Sequence, residues 1–138
     1  MSEKQKLLIV DDSEFNRDIL KEILGSSYDY LEAENGNQAI EILEVHPEID
    51  LMLLDINMPQ MNGFQVLEHM GELQWIDEVP VVMISSEESV EIMRKAYDLG
   101  ITDYISRPFD AVIVKKRVQN TLGLYAKQKR LINVVVDQ

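Results

Sequence analysis

Residues 51–55 read LMLLD, four apolar side chains in a row followed by a carboxylate. Neighbouring side chains of an extended strand point to opposite faces, so an unbroken apolar run must be covered on both sides. A parallel sheet with helices on each face supplies that cover. The run therefore predicts a central strand over Leu51–Leu54 that ends on Asp55.

The rest of the chain alternates as such a sheet requires. Leu7–Val10 is a short apolar run with β-branched residues, a candidate buried strand that stops at Asp11-Asp12. Ser13 is a candidate N-cap, followed by Phe15, Ile19, Leu20, Ile23 and Leu24 at helical spacing and a stop at Gly25. Tyr30–Ala33 reads as a second, weaker strand and Asn35-Gly36 as a turn. Ala39, Ile40, Leu43 and Val45 mark the next helix, ended near Pro47. A Pro-, Asn- and Gly-containing loop spans Asn57–Gly63, and a helical pattern follows from Phe64 to Leu73. Val79–Ile84 is a fourth strand with its proline near the start, where it is tolerated. Val90–Leu99 is a helix closed by Gly100, Asp103–Ile105 a fifth short strand, and a last helix begins near Asp110.

Repeated strand-then-helix units imply a doubly wound, five-stranded parallel α/β sheet. In such sheets functional groups gather beyond the carboxyl ends of the strands. Those ends carry Asp11-Asp12, Asp55 and Ser85, with Arg107 just after the fifth strand. Clustered carboxylates repel one another, and a hard divalent cation relieves this. An oxygen-only ligand set without His or Cys suits Mg²⁺. Phosphoryl transfer needs a nucleophile, a cation on the phosphoryl oxygens and donors for the remaining charge. Asp55 can be that nucleophile, Ser85 can donate a hydroxyl hydrogen bond and Arg107 can pair with a phosphoryl oxygen. Taken singly, each has a plainer reading. Asp11-Asp12 can be a helix-capping pair, Asp55 a loop-entry residue, Ser85 a strand-end hydroxyl and Arg107-Pro108 a surface turn. Together and in order they are far more specific.

Charge bounds the partners. The net charge is −12, but residues 111–138 hold six bases and one acid. The acidic body excludes nucleic-acid binding by the core domain, and the basic end is too sparse for such a site. With no cysteine there is no disulfide or thiolate chemistry, and no apolar run is long enough to span a membrane. A cytoplasmic protein without membrane association is the expectation.

The segments LLIVDDSEFNRDIL, LMLLDINMPQMNGFQVL, VPVVMISSEE and DYISRPFD resemble the receiver domain of two-component response regulators, the chemotaxis-regulator-like family, over residues 5–125. The resemblance implies a flavodoxin-like (βα)5 receiver fold with strand order 2-1-3-4-5. It also implies a phosphorylation-dependent switch rather than an enzyme, with a histidine kinase or phosphotransfer protein as partner in a phosphorelay. Asp55 would be the phosphoacceptor. Asp11, Asp12, Asp55 and the backbone carbonyl of Asn57 would hold Mg²⁺. Ser85 and Tyr104 would be the switch pair, Pro59 and Gly63 would shape the loop, and Asn57 and Glu87 would flank the hydrolytic water. The peptide bond before Pro108 would be cis. One position departs from the pattern: the family has Lys where this chain has Arg107, and the two are not interchangeable. The alternative is a degenerate receiver that acts as an unphosphorylated interaction module. A Mg²⁺-dependent hydrolase of the haloacid dehalogenase type would need a second Asp where this chain has Asn57.

A receiver over residues 1–125 leaves 126–138 as a helical extension or linker. Val114, Val118, Thr121, Tyr125, Gln128, Ile132 and Val135 form a heptad-like stripe. Its first half reads as core packing up to Leu122, and its second half as a linker or homodimer contact toward a missing output domain. The tail is also similar to receivers fused to cyclic-di-nucleotide signalling outputs.

Overall fold

The computed structural model describes residues 4–58, 61–86 and 89–137, with side chains described as far as 125. Five parallel strands form one sheet: β1 (Gln5–Val10), β2 (Tyr28–Ala33), β3 (Leu51–Asp55), β4 (Val81–Ser85) and β5 (Asp103–Ser106), in the order β2-β1-β3-β4-β5. The helices are α1 (Glu14–Leu24), α2 (Gly36–Val45), α3 (Gly63–Glu72), α4 (Val90–Asp98) and α5 (Ala111–Asp137). This is the expected flavodoxin-like arrangement.

The alternation of side chains along the strands builds two cores. Leu8, Val10, Met52, Leu54, Val81 and Met83 face one side and pack with Ala39, Leu43, Val66, Leu67, Met70 and Ala96 of α2, α3 and α4. Leu7, Ile9, Leu51, Leu53, Val82 and Ile84 face the other and pack with Leu20 and Leu24 of α1 and Val114, Val118 and Leu122 of α5. All five residues of β3 are buried. Each of its apolar side chains contributes about 1.5–3 kcal/mol by leaving water, which makes β3 the firmest platform for whatever follows it.

The helix starts are set by short polar side chains. Ser13 Oγ accepts the Asn16 N–H at α1. Asn35 Oδ1 accepts the Gln38 N–H at α2, so Asn35-Gly36 is a helix cap rather than a free turn. Asn62 and Gln65 cap α3 reciprocally.

Several expectations need correction. Phe15 lies on the outer side of α1 and Val45 on that of α2, at 72% and 70% exposure. Both share helical spacing with core residues, but at the helix end nothing lies over them. β2 starts two residues earlier than its apolar run, because an edge strand admits polar Asp29. β4 starts at Val81, after Pro80, whose carbonyl still accepts the Met52 N–H at 3.0 Å. A 3-10 turn at Trp75–Asp77, entered through Gln74 at φ +63°, had no sequence signal. Gln128, Ile132 and Val135 lie beyond the described side chains.

Candidate functional site

The three strand ends place their acids on one edge. Asp11 follows β1, and its N–H donates to Ala33 O across to β2. Asp55 closes β3. Parallel pairing of Val10 with Leu54 sets the two side by side, although they are 44 residues apart in sequence. Asp11, Asp12 and Asp55 each present an oxygen, all within 4.8 Å of one another. Asp11 and Asp55 are buried and Asp12 is exposed.

Backbone donors orient the two buried acids. Asp11 Oδ1 accepts the Ser13 N–H at 2.9 Å, and Asp55 Oδ1 accepts the Asn57 N–H at 3.0 Å. Arg107 Nη2 donates to Asp11 Oδ2 at 2.5 Å and lies 3.3 Å from Asp55 Oδ2. Arg107 Nε is buried without a hydrogen-bond partner. Burial pushes both carboxyls above the ordinary aspartate value, against the pull of those backbone N–H groups and of the Arg107 charge. At each acid the guanidinium outweighs the repulsion from the neighbouring carboxylate, and what keeps the carboxyl raised is the cost of burial.

Oxygen ligands alone, two of them desolvated and crowded, fit a hard divalent cation such as Mg²⁺ better than a thiophilic or imidazole-seeking metal. Asp11, Asp12 and Asp55 could hold it.

The other expected residues fall around this edge. Ser85 is buried at the end of β4, one residue beyond the Asp55–Ile84 pair. Its carbonyl accepts the Arg107 N–H at 3.1 Å. The Arg107–Pro108 peptide bond is cis. Tyr104 is half-buried on β5, beside Met83 in register, and packs against the α2–α4 core. The Asn57 side chain is exposed. Pro59 and Glu87 lie outside the described residues.

Gly63 opens α3 where a side chain has no room: an added Cβ would lie 2.6 Å from Ile56 Cα and 2.8 Å from Asp55 O. The chain after Asp55 folds back this tightly because residue 63 is glycine.

Sequence reasoning missed Arg17. Its Nη1 donates to Asp11 O at 2.7 Å and its Nε to Glu32 Oε1 at 2.9 Å, which ties the β1–α1 loop to the edge strand. The available signal was an arginine one turn into a helix that starts at an acid pair.

Comparison with known proteins identifies the family and the fold. Residues 7–119 match the response regulator receiver domain family. The chain is 34% identical to chemotaxis protein CheY1 of Helicobacter pylori over 120 residues, covering 86% of this chain and 97% of that one. It is 33% identical over 132 residues to a "Probable cyclic di-GMP phosphodiesterase" of Vibrio cholerae, covering 96% of this chain and 29% of that one. The solved structure of Vibrio cholerae chemotaxis protein CheY4 superposes with a TM-score of 0.79 at 26% identity, covering 86% of this chain and 99% of that one.

Proposed function

We propose that this chain, which belongs to the response regulator receiver domain family, is a signalling switch that accepts a phosphoryl group on Asp55 and changes conformation in response. The observation that carries this reading is a buried carboxylate at the end of the central strand, with two further acids within 4.8 Å and a guanidinium 3.3 Å away. That is a nucleophile in a cation site with a positive group beside it.

In the transfer step an Asp55 carboxylate oxygen forms a bond to phosphorus. The bond from phosphorus to the donor breaks, whether the donor is a phosphohistidine imidazole or a small acyl phosphate, and its electron pair leaves with the donor. A bound Mg²⁺ supplies neutralising charge on the phosphoryl oxygens. Asn57 N–H holds the acceptor carboxylate, Ser85 donates its hydroxyl to one phosphoryl oxygen, and Arg107 pairs with another. Tyr104 turns inward as the Ser85 hydroxyl moves toward the phosphoryl group. The family resemblance assigns Asn57 and Glu87 to the approach of the in-line water, and two polar residues there would favour a short-lived phosphorylated state.

The partners on this reading are a histidine kinase or phosphotransfer protein in the cytoplasm, with residues 1–125 as the receiver and 126–138 as the link to an output. The match to part of a relative named as a cyclic di-GMP phosphodiesterase supports an output of the cyclic-di-nucleotide class. No helix among the described residues is long and apolar enough to cross a membrane.

Labelling by acetyl phosphate tests the reading. The expected result is a stoichiometric label that requires a divalent cation and is absent in Asp55→Asn. Continuous turnover would indicate a hydrolase. No label in the wild type would indicate an unphosphorylated interaction module.

A further inference from the structure

We propose that Arg17 is a positioning residue for the cation site: its guanidinium fixes the peptide between Asp11 and Asp12 so that both carboxylates meet Asp55. The proposal rests on the reading of Asp11, Asp12 and Asp55 as a cation site.

The main chain of Asp11 is gripped on both sides. Its N–H donates to Ala33 O of β2 at 3.1 Å, and its carbonyl accepts from Arg17 Nη1 at 2.7 Å. That carbonyl belongs to the peptide that leads into Asp12. The peptide is planar, so its orientation sets the direction in which the Asp12 side chain leaves the backbone. Asp11 and Asp55 are buried, but Asp12 is exposed and burial does not hold it. The grouping of the three acids within 4.8 Å therefore depends on a peptide that Arg17 orients.

Arg17 is itself held. Its Nε donates to Glu32 Oε1 at 2.9 Å, and Glu32 Oε2 accepts from Lys21 Nζ at 2.9 Å. The Arg17 side chain is only 11% exposed, so its fork bridges the β1–α1 loop and the edge strand largely away from water. Glu32 neutralises its charge. The Asp11 carboxyl is shifted by burial, the Ser13 N–H, Arg107, Asp12 and Asn16 rather than by Arg17. What Arg17 supplies to the acids is direction. A planar guanidinium holds a carbonyl and a carboxylate at a fixed angle to each other, which a single lysine nitrogen does not.

Charge and position predict opposite signs. If charge alone counted, removing a positive group beside three acids would tighten the binding of a divalent cation. Losing the grip on the Asp11 carbonyl loosens it. The experiment is a Mg²⁺ titration at constant ionic strength of the wild type, Arg17→Met, Arg17→Lys and Lys21→Met. Two-dimensional NMR follows the Asn57 amide, and thermal melts in chelator check that each protein folds. Methionine keeps an aliphatic stem and removes every donor. Lys21→Met takes the same charge from the same network without touching Asp11. The expected result is a Kd weakened by about tenfold in Arg17→Met and by roughly threefold in Arg17→Lys. In Lys21→Met the Kd should stay at the wild-type value while the melting temperature falls. A wild-type or tighter Kd in Arg17→Met would overturn the proposal, since only charge would then act. Equal weakening in Lys21→Met would do the same, because loss of stability between α1 and β2 would then be the cause. Should Arg17→Met not fold, Arg17→Lys decides, and a wild-type Kd there rejects the proposal. The absence of a saturable shift in the wild type would remove the cation site together with the role of Arg17. A wild type that saturates beside unaffected Arg17 variants would remove only the role of Arg17, and the Asp55 labelling result stands or falls separately.

Discussion

The guanidinium of Arg117 lies over the ring of Tyr104, with its central carbon 5.0 Å from the ring centroid. The same group donates from Nη1 to Asp103 Oδ1 at 2.8 Å and to Tyr104 O at 3.0 Å. α5 therefore reaches round the edge strand β5 and holds both the ring and the backbone of the residue on the outer edge. A partly exposed ion pair contributes about 0.2–1 kcal/mol and a cation–π contact at such a site about 0.5–1 kcal/mol. Arg117→Ala should lower unfolding stability by about 1 kcal/mol and narrow the Tyr104 ring resonances as the ring gains freedom. Urea melts and aromatic NMR check both. An unchanged midpoint with unchanged ring signals would mean that the contact holds nothing.

Gly63→Ala is expected to be costly for its size. The new Cβ would meet the backbone of Ile56 and Asp55, which cannot swing aside as a flexible side chain would. Overpacking of this kind costs about 1–3 kcal/mol. Because one of the atoms pushed is the carbonyl of Asp55, the labelling rate with acetyl phosphate should fall as well. A variant with wild-type stability and rate would show that the loop has slack.

Asp12→Ala should act in opposite directions with and without metal. The Asp12 charge pushes the Asp11 carboxyl up, so its removal relieves repulsion in the metal-free protein. Asp12 is exposed, which keeps the gain to about 0.5 kcal/mol. The stabilisation by Mg²⁺ should shrink, since one ligand is gone. Thermal melts with Mg²⁺ and with a chelator measure both. A variant that melts lower without metal and keeps its full Mg²⁺ response would contradict the site.

Glu48 supplies a pH signature at the opposite end of the sheet. His46 Nδ1 lies 2.8 Å from Glu48 Oε1, and Lys6 Nζ donates to the same oxygen at 3.1 Å. With the His46 contact as the largest cause, the Glu48 carboxyl is held at about 2, against an ordinary value of 4.5. A depressed carboxylate stabilises the fold above its unfolded value and loses that contribution as pH falls toward the folded one. The stability difference between wild type and Glu48→Gln should therefore be largest above pH 4.5 and close as pH falls toward about 2. Urea midpoints across that window test it. A constant difference would assign the effect of Glu48 to packing.

Much of this was legible in the residues themselves. LMLLD required cover on both faces of β3, and β3 has it, with Leu51 and Leu53 in one core and Met52 and Leu54 in the other. Ser13 announced the start of α1. Helical spacing, however, cannot say how far a partner extends, so Phe15 and Val45 share the spacing of core residues and yet stand in solvent. The start of β2 was hidden because an edge strand tolerates polar residues that a central one excludes.

The sequence alone determined which side chains end each strand, because strand ends follow from local hydrophobic runs. It thereby named Asp11, Asp12, Asp55, Ser85 and Arg107 as candidates. Only the tertiary structure decided how they meet. Parallel pairing of β1 with β3 brought Asp11 beside Asp55, and the turn after β5 carried Arg107 across 96 residues onto Asp11 as well as Asp55. Residue type states that a guanidinium seeks carboxylates. Which oxygen it reaches depends on strand register, on the backbone N–H groups that claim the other oxygens, and on a burial depth that leaves its Nε without a partner. Those are properties of distances between segments remote in the chain, and no local pattern encodes them.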